Sequence, residues 1–194
     1  HHSIISCPGM ERNTIVVSGA SKSIAWTGGR IGWALFPTRK EAEVFKNLNI
    51  NYFSCIAAYH QEGARLGLES PEAPAAIGKM VESVQMRRDL MVDGLNAIPG
   101  IRCLRPKGTF YVFPNVAGVC RSLGILEGFE TLPEETRRRT SPSTLLQMFL
   151  LFVHGVAVLD RKSFCRIGSD PFHYLRISIA TGAADLKKGL ARIA

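Results

Sequence analysis

A chain of 194 residues, 46% of them hydrophobic, with 18 Gly and 10 Pro, has the profile of a globular protein of one or two domains and not of a disordered or collagen-like one. No apolar run reaches the roughly 18 residues that cross a bilayer, which excludes a membrane role, and the net charge of +8 comes from scattered basic residues without aromatic interleaving, so no nucleic-acid partner is expected. Cys7, Cys55, Cys103, Cys120 and Cys165 are odd in number and widely spaced, which indicates neither a disulfide framework nor a metal site and fits a reducing cytoplasm.

In chain order, the β-branched run Thr14-Ile15-Val16-Val17 reads as a buried strand ended by Ser18-Gly19, and 31–36 as a second strand ended by Pro37. Thr38, with Glu41 three residues on, caps a helix from Arg39. A helix is expected over 54–68. Ser70-Pro71 opens a long amphipathic helix whose apolar positions run from Ile77 to Ile98 and which stops at Pro99-Gly100. Its charges Glu82, Arg87, Arg88 and Asp89 read as a solvated face. The period then changes to two, so 101–104 and 109–113 read as a hairpin about Pro106-Lys107-Gly108. The stretch 118–142 reads as irregular, 145–153 as a buried helix, 156–159 and 174–179 as strands, and 184–193 as a closing helix. The expected division is a first part over 1–75 and a small α+β unit over 76–194.

The chemistry concentrates in Ser18-Gly19-Ala20-Ser21-Lys22-Ser23-Ile24-Ala25-Trp26-Thr27-Gly28-Gly29-Arg30-Ile31-Gly32. A lysine directly after a buried strand, in a turn of small residues, sits where an amine pKa falls below about 10.4 and the amine becomes a nucleophile toward an aldehyde. Arg30, flanked by glycines, offers a planar fork of donors suited to a phosphate. Tyr52, Tyr59 and His60 are most simply packing residues of a core or interface, and His154, Cys165 and His173 loop residues.

This segment resembles the cofactor attachment signature of class I and II pyridoxal-phosphate-dependent aminotransferases, in which the lysine is followed after a fixed gap by Gly-x-Arg-x-Gly. Gly19, Ser21, Lys22, Ala25, Gly28, Arg30, Ile31 and Gly32 match it. Trp26 departs from a smaller apolar residue, and Gly29 from a tryptophan often found before the arginine. Three further stretches look like the same family in colinear order: Pro8 to Arg12, Lys107 to Asn115, and Gly155 to Val158 with Tyr174 to Thr181.

The resemblance implies an α/β fold, the C-terminal part of the family's large domain with the small α+β C-terminal domain. It implies pyridoxal 5'-phosphate as cofactor, Lys22 as the Schiff-base lysine and proton shuttle, Gly19, Ser21 and Arg30 as cofactor-binding residues, and Arg176 as the grip on the substrate α-carboxylate. The implied activity is amino transfer between an α-amino acid and a 2-oxo acid by a cytoplasmic homodimer. A lyase or synthase on the same scaffold, or a non-catalytic fragment acting by association, are the alternatives. The family's aspartate for the pyridine nitrogen, its tyrosine, asparagine and glycine-rich phosphate turn all precede the lysine strand, whereas only 21 residues precede Lys22 here and none is Asp. The expectation is an incomplete active site.

Overall fold

Residues 2–164 and 173–194 are described by a computed structural model, and the expectation for Cys165 lies outside them. The chain divides into two compact units, His1–Lys79 and Met80–Ala194.

In the first unit, β1 (Val16–Gly19) pairs antiparallel with β2 (Gly32–Leu35), with Val16 opposite Leu35 and Gly19 opposite Gly32. A single turn, α1 (Ala20–Ser23), follows β1 directly, then come α2 (Arg39–Phe53) and α3 (Ala58–Glu69). The Thr38–Glu41 capping box forms as the sequence requires: the Thr38 hydroxyl accepts from the Glu41 amide and the Glu41 carboxylate from the Thr38 amide. Such caps are worth about 1 kcal/mol.

The expected burial of the strands is not met. Val17 is 78% exposed and Leu35 56%, and α2 has no buried residue. A strand is buried on both faces only when layers cover both, and this ribbon has two strands only. Tyr52 and Tyr59 are likewise exposed and do not pack in a core. Helix α3 begins at Ala58, four residues later than expected, because Ser54 takes a left-handed backbone at φ 63.

The long helix α4 (Ala73–Asn96) crosses the division between units. Beyond it the second unit contains β3 (Tyr111–Val112), α5 (Ala117–Ser122), α6 (Ile125–Glu130), α7 (Glu134–Arg139), α8 (Pro142–Phe152), β4 (Leu159–Asp160), β5 (Leu175–Ser178) and α9 (Ala183–Ile193). Its sheet has the order β3-β5-β4, with both neighbours antiparallel to β5. The core forms here: Met91, Val92 and Leu95 of α4, Leu146 and Leu150 of α8 and Leu186 of α9 meet Val112, Leu175 and Ile177 of the sheet and Ile179 just after β5. Leu95 and Ile179 are fully buried, and truncating such a leucine to Ala costs about 2–5 kcal/mol.

Three further expectations change. The hairpin reduces to one bridge, Arg102 to Asn115, because β3 gives its ladder to β5 instead. The stretch 118–142 is not irregular: α5, α6 and α7 occupy most of it, each six residues long and too short for a period to register in a window of 11–18 residues. And the charges on α4 are not a solvated face. Arg87 donates to the carbonyls of Ala180 (3.0 Å) and Thr181 (2.8 Å), while Arg88 donates to Asp89 (2.9 Å) and to the Pro106 carbonyl (3.2 Å). An arginine fork satisfies loop carbonyls that no ladder reaches, and helical periodicity is blind to that use. Of the four, Glu82 alone is exposed.

Candidate functional site

The β1–β2 ribbon brings four of the sequence-selected residues to one end. The Gly19–Gly32 pair closes the ladder, the Ala20 amide donates to the Ile31 carbonyl (3.0 Å), and the Trp26 amide returns to the Ala20 carbonyl (3.1 Å). These bonds fold 20–31 into a closed turn in which Ser21 and Lys22 lie on α1 and Arg30 on the return limb. Gly32 is there for clearance: a Cβ would come within 2.9 Å of the Ser18 carbonyl across the ribbon.

Lys22 is exposed and Ser21 half-buried, and the strand before them, β1, has no buried residue, so Lys22 does not follow a buried strand. Ser23 donates its hydroxyl to the Gly19 carbonyl (3.0 Å), which tightens α1. Arg30 is also exposed. Its backbone is left-handed at φ 47, ψ 40, which costs a non-glycine residue about 1–3 kcal/mol, and one guanidinium nitrogen donates to the Thr27 carbonyl (3.1 Å). The strain is held in place by the Thr27–Gly29 turn before it.

That turn explains the two departures from the family signature together. The Trp26 ring lies where a side chain at position 29 would go, since a Cβ on Gly29 would meet it at 2.5 Å, and its far edge fits against Gly63 of α3, where a Cβ would meet it at 2.7 Å. His60 meets the same ring edge-on at 5.7 Å. A tryptophan moved from position 29 to 26 and a glycine left behind amount to one exchange of volume.

Arg176 belongs to the second unit, on the central strand β5. Leu175 and Ile177 are buried beneath the sheet, and Arg176 projects from the other face, as alternation demands. Its guanidinium carbon lies 4.3 Å from the ring centroid of Tyr111 and 4.3 Å from that of Phe164. The same face carries Phe113 and Tyr174, stacked at 5.0 Å with 7° between planes. Arg176 is therefore neither a freely solvated strand arginine nor an ion-paired one among the described residues.

Tyr111 and Phe164 went unselected in the sequence. Tyr111 shares a face with Arg176 only through the register that sets it opposite Ser178. Phe164 ends a short turn, Arg161–Phe164, with no periodic signal. His154, expected in a loop, lies edge-on to Phe149 at 4.9 Å and lines a small apolar cavity of about 50 Å3 with Leu95 and Leu150.

Comparison with known proteins gives one family. The description Aminotransferase class I and II matches residues 5–193. An aspartate aminotransferase of Rhizobium meliloti strain 1021 is 38% identical over 187 residues, covering 96% of this chain and 41% of that protein. Among solved structures, the aspartate aminotransferase from Rhizobium meliloti superposes with a TM-score of 0.76 at 35% identity, over 96% of this chain and 42% of the other. The aromatic aminotransferase from Pyrococcus horikoshii OT3 superposes with a TM-score of 0.78 at 27% identity, over 100% of this chain and 45% of the other. The mixed helix-and-sheet architecture is thus that of part of an aminotransferase fold, and the chain spans about two fifths of the length of the curated relatives it matches.

Proposed function

The chain belongs to the class I and II aminotransferases, and from that premise we propose that it contributes the lysine turn and the carboxylate-binding strand of a pyridoxal-phosphate-dependent enzyme. The reaction is amino transfer between an α-amino acid and a 2-oxo acid, with aspartate the first donor to test because the relatives at 36–40% identity carry the name aspartate aminotransferase.

The observation that carries this reading is the closed turn that gathers Gly19, Ser21, Lys22 and Arg30 at one end of the ribbon. Its donor set suits pyridoxal phosphate in kind: a primary amine for the aldehyde, a guanidinium and a hydroxyl for the phosphate, and bare backbone at Gly28, beside which space is open. When bound, the cofactor supplies the electron sink for chemistry at the substrate α-carbon. Lys22 holds the cofactor through Nζ and carries the proton to and from the α-carbon as general base and acid. Arg30 and Ser21 bind the phosphate, Gly19 lets the strand end approach, and Arg176 grips the α-carboxylate in bidentate fashion. The first unit contains no Asp to keep the pyridine nitrogen protonated.

The reading extends to a homodimer in the cytoplasm. Apolar residues left exposed on α2 and α3, among them Phe45, Leu48, Phe53 and Leu66, support association, and the four thiols among the described residues are free. The same exposed surface favours the second reading, a non-catalytic polypeptide that acts by association. Reduction with borohydride in the presence of pyridoxal phosphate, followed by peptide mapping, separates them: a label on Lys22 is expected, and labelling of other lysines with Lys22 untouched overturns the assignment.

A further inference from the structure

The Arg176 guanidinium is planar, with two faces and a rim, and its carbon lies over the rings of both Tyr111 and Phe164, 4.3 Å from each centroid. Ring quadrupoles attract the cation through its faces and use none of its N–H donors, whereas an acidic partner would occupy the rim. No acidic group among the described residues does so. We propose that Tyr111 and Phe164 are positioning residues that hold the Arg176 guanidinium in one orientation and leave its N–H donors for a ligand, which makes this site selective for planar carboxylates bound in the plane of the guanidinium. The proposal rests on the reading of Arg176 as the carboxylate grip and adds to it the device that orients the fork.

Both rings are fixed from below. Tyr111 stands on β3, locked to β5 by the pairing of Tyr111 with Ser178 and Val112 with Ile177. Phe164 ends the turn that follows β4, and that turn is tied to the core by Asp160, which is buried. The Asp160 carboxylate accepts from the Ser163 amide (3.2 Å), the Ser163 hydroxyl and the Thr144 hydroxyl, while its own amide donates to the Gln147 side-chain oxygen (2.9 Å). The buried Asp160 carboxylate thereby acquires a use: it holds the strap that holds Phe164. An unclamped arginine pivots about its four side-chain torsions and meets trigonal and tetrahedral anions from any side. A clamped one presents two parallel N–H bonds that match two oxygens 120° apart on a planar carbon and match a tetrahedral sulfonate poorly.

The test uses the 194-residue protein and the 15N resonances of arginine side chains. The Arg176 Nε–H signal is expected to be displaced by the ring currents of two aromatic rings, and to lose part of that displacement in Tyr111→Leu and part in Phe164→Leu but keep it in Tyr111→Phe. Titration with acetate and with methanesulfonate, which carry the same charge, is expected to show acetate tighter by about fivefold, a preference that falls toward unity in the leucine variants. Unchanged core methyl signals of Leu95 and Leu175 certify that each variant is folded. If the ring-current displacement is undiminished by removal of either ring, or acetate and methanesulfonate bind alike, the clamp is wrong while Arg176 as an anion grip stands. If the displacement is present but neither anion moves the signal, the carboxylate reading itself fails and takes the proposal with it.

Discussion

Adjacent glycines in the lysine turn are expected to respond to the same substitution with opposite signs. By the family signature Gly28 is the required glycine of Gly-x-Arg-x-Gly and position 29 is the free one. The packing reverses this order. A Cβ at Gly28 meets nothing within 4 Å, and its φ lies outside the left-handed region, so Gly28→Ala is expected to stabilise by about 0.4–1 kcal/mol through the unfolded chain. A Cβ at Gly29 would lie 2.5, 2.6 and 2.8 Å from three atoms of the Trp26 ring, which is rigid and confined on its far side by Gly63. The unfolded-state gain is the same at both sites and cancels in the comparison, which leaves the overpacking cost of about 1–3 kcal/mol as the difference between the two variants. Urea unfolding followed by tryptophan fluorescence measures it, since Trp26 and Trp33 are the only tryptophans and both lie in the first unit. Removing the ring removes the clash, so Gly29→Ala made in a Trp26→Ala background, with Trp33 as reporter, is expected to cost little, a coupling of about 1–3 kcal/mol. If Gly29→Ala unfolds at the same urea concentration as Gly28→Ala, the ring does not fill that space and the compensation between positions 26 and 29 is refuted.

Other consequences follow from the same geometry. Arg30→Ala is expected to weaken pyridoxal-phosphate binding by at least about tenfold, because one charge-assisted bond is worth roughly 1.5–3 kcal/mol, and unchanged affinity by absorbance titration would leave Arg30 a loop-closing residue for Thr27. Arg176→Lys keeps the charge and loses the fork, so in an active enzyme the KM for amino acids is expected to rise about tenfold or more with cofactor affinity unchanged; release of cofactor instead would contradict the assignment. Burial pushes the Cys120 thiol up to about 11, above its unfolded value near 9. Its neutral form is therefore the one that packs, its contribution to stability is complete below about pH 9 and is lost as pH rises from there through 11, and denaturation midpoints across that range are expected to recover in part in Cys120→Ala. Exposed Cys7 and Cys55 are expected to react with an alkylating reagent at pH 8 before buried Cys103 and Cys120 do, and peptide mapping distinguishes them.

Features written in short-range chemistry were legible in the residue order. The Thr38–Glu41 box, the long α4 and the closing α9 are local, and each formed where its spacing placed it, within a few residues. That Gly19, Ser21, Lys22 and Arg30 share one turn was likewise legible, because a turn's backbone demands are written in adjacent letters. The alternation of Leu175, Arg176 and Ile177 announced an arginine facing away from a core, and the sheet has that core on its other face.

What faced the arginine was not legible. Tyr111 lies 65 positions away and meets Arg176 only through the β3–β5 register, and Phe164 only through a turn anchored on buried Asp160. Arg87 and Arg88 looked solvated because helical periodicity sorts apolar from polar positions without knowing which carbonyls end nearby. Burial of β1 and β2 is also nonlocal: β-branched composition favours a strand, but only packed layers remove it from water, and Val17 and Leu35 are exposed among the described residues. Volume exchange between Trp26 and Gly29 is the clearest case, for the sequence marks both as departures while only the position of one ring in space makes each the reason for the other.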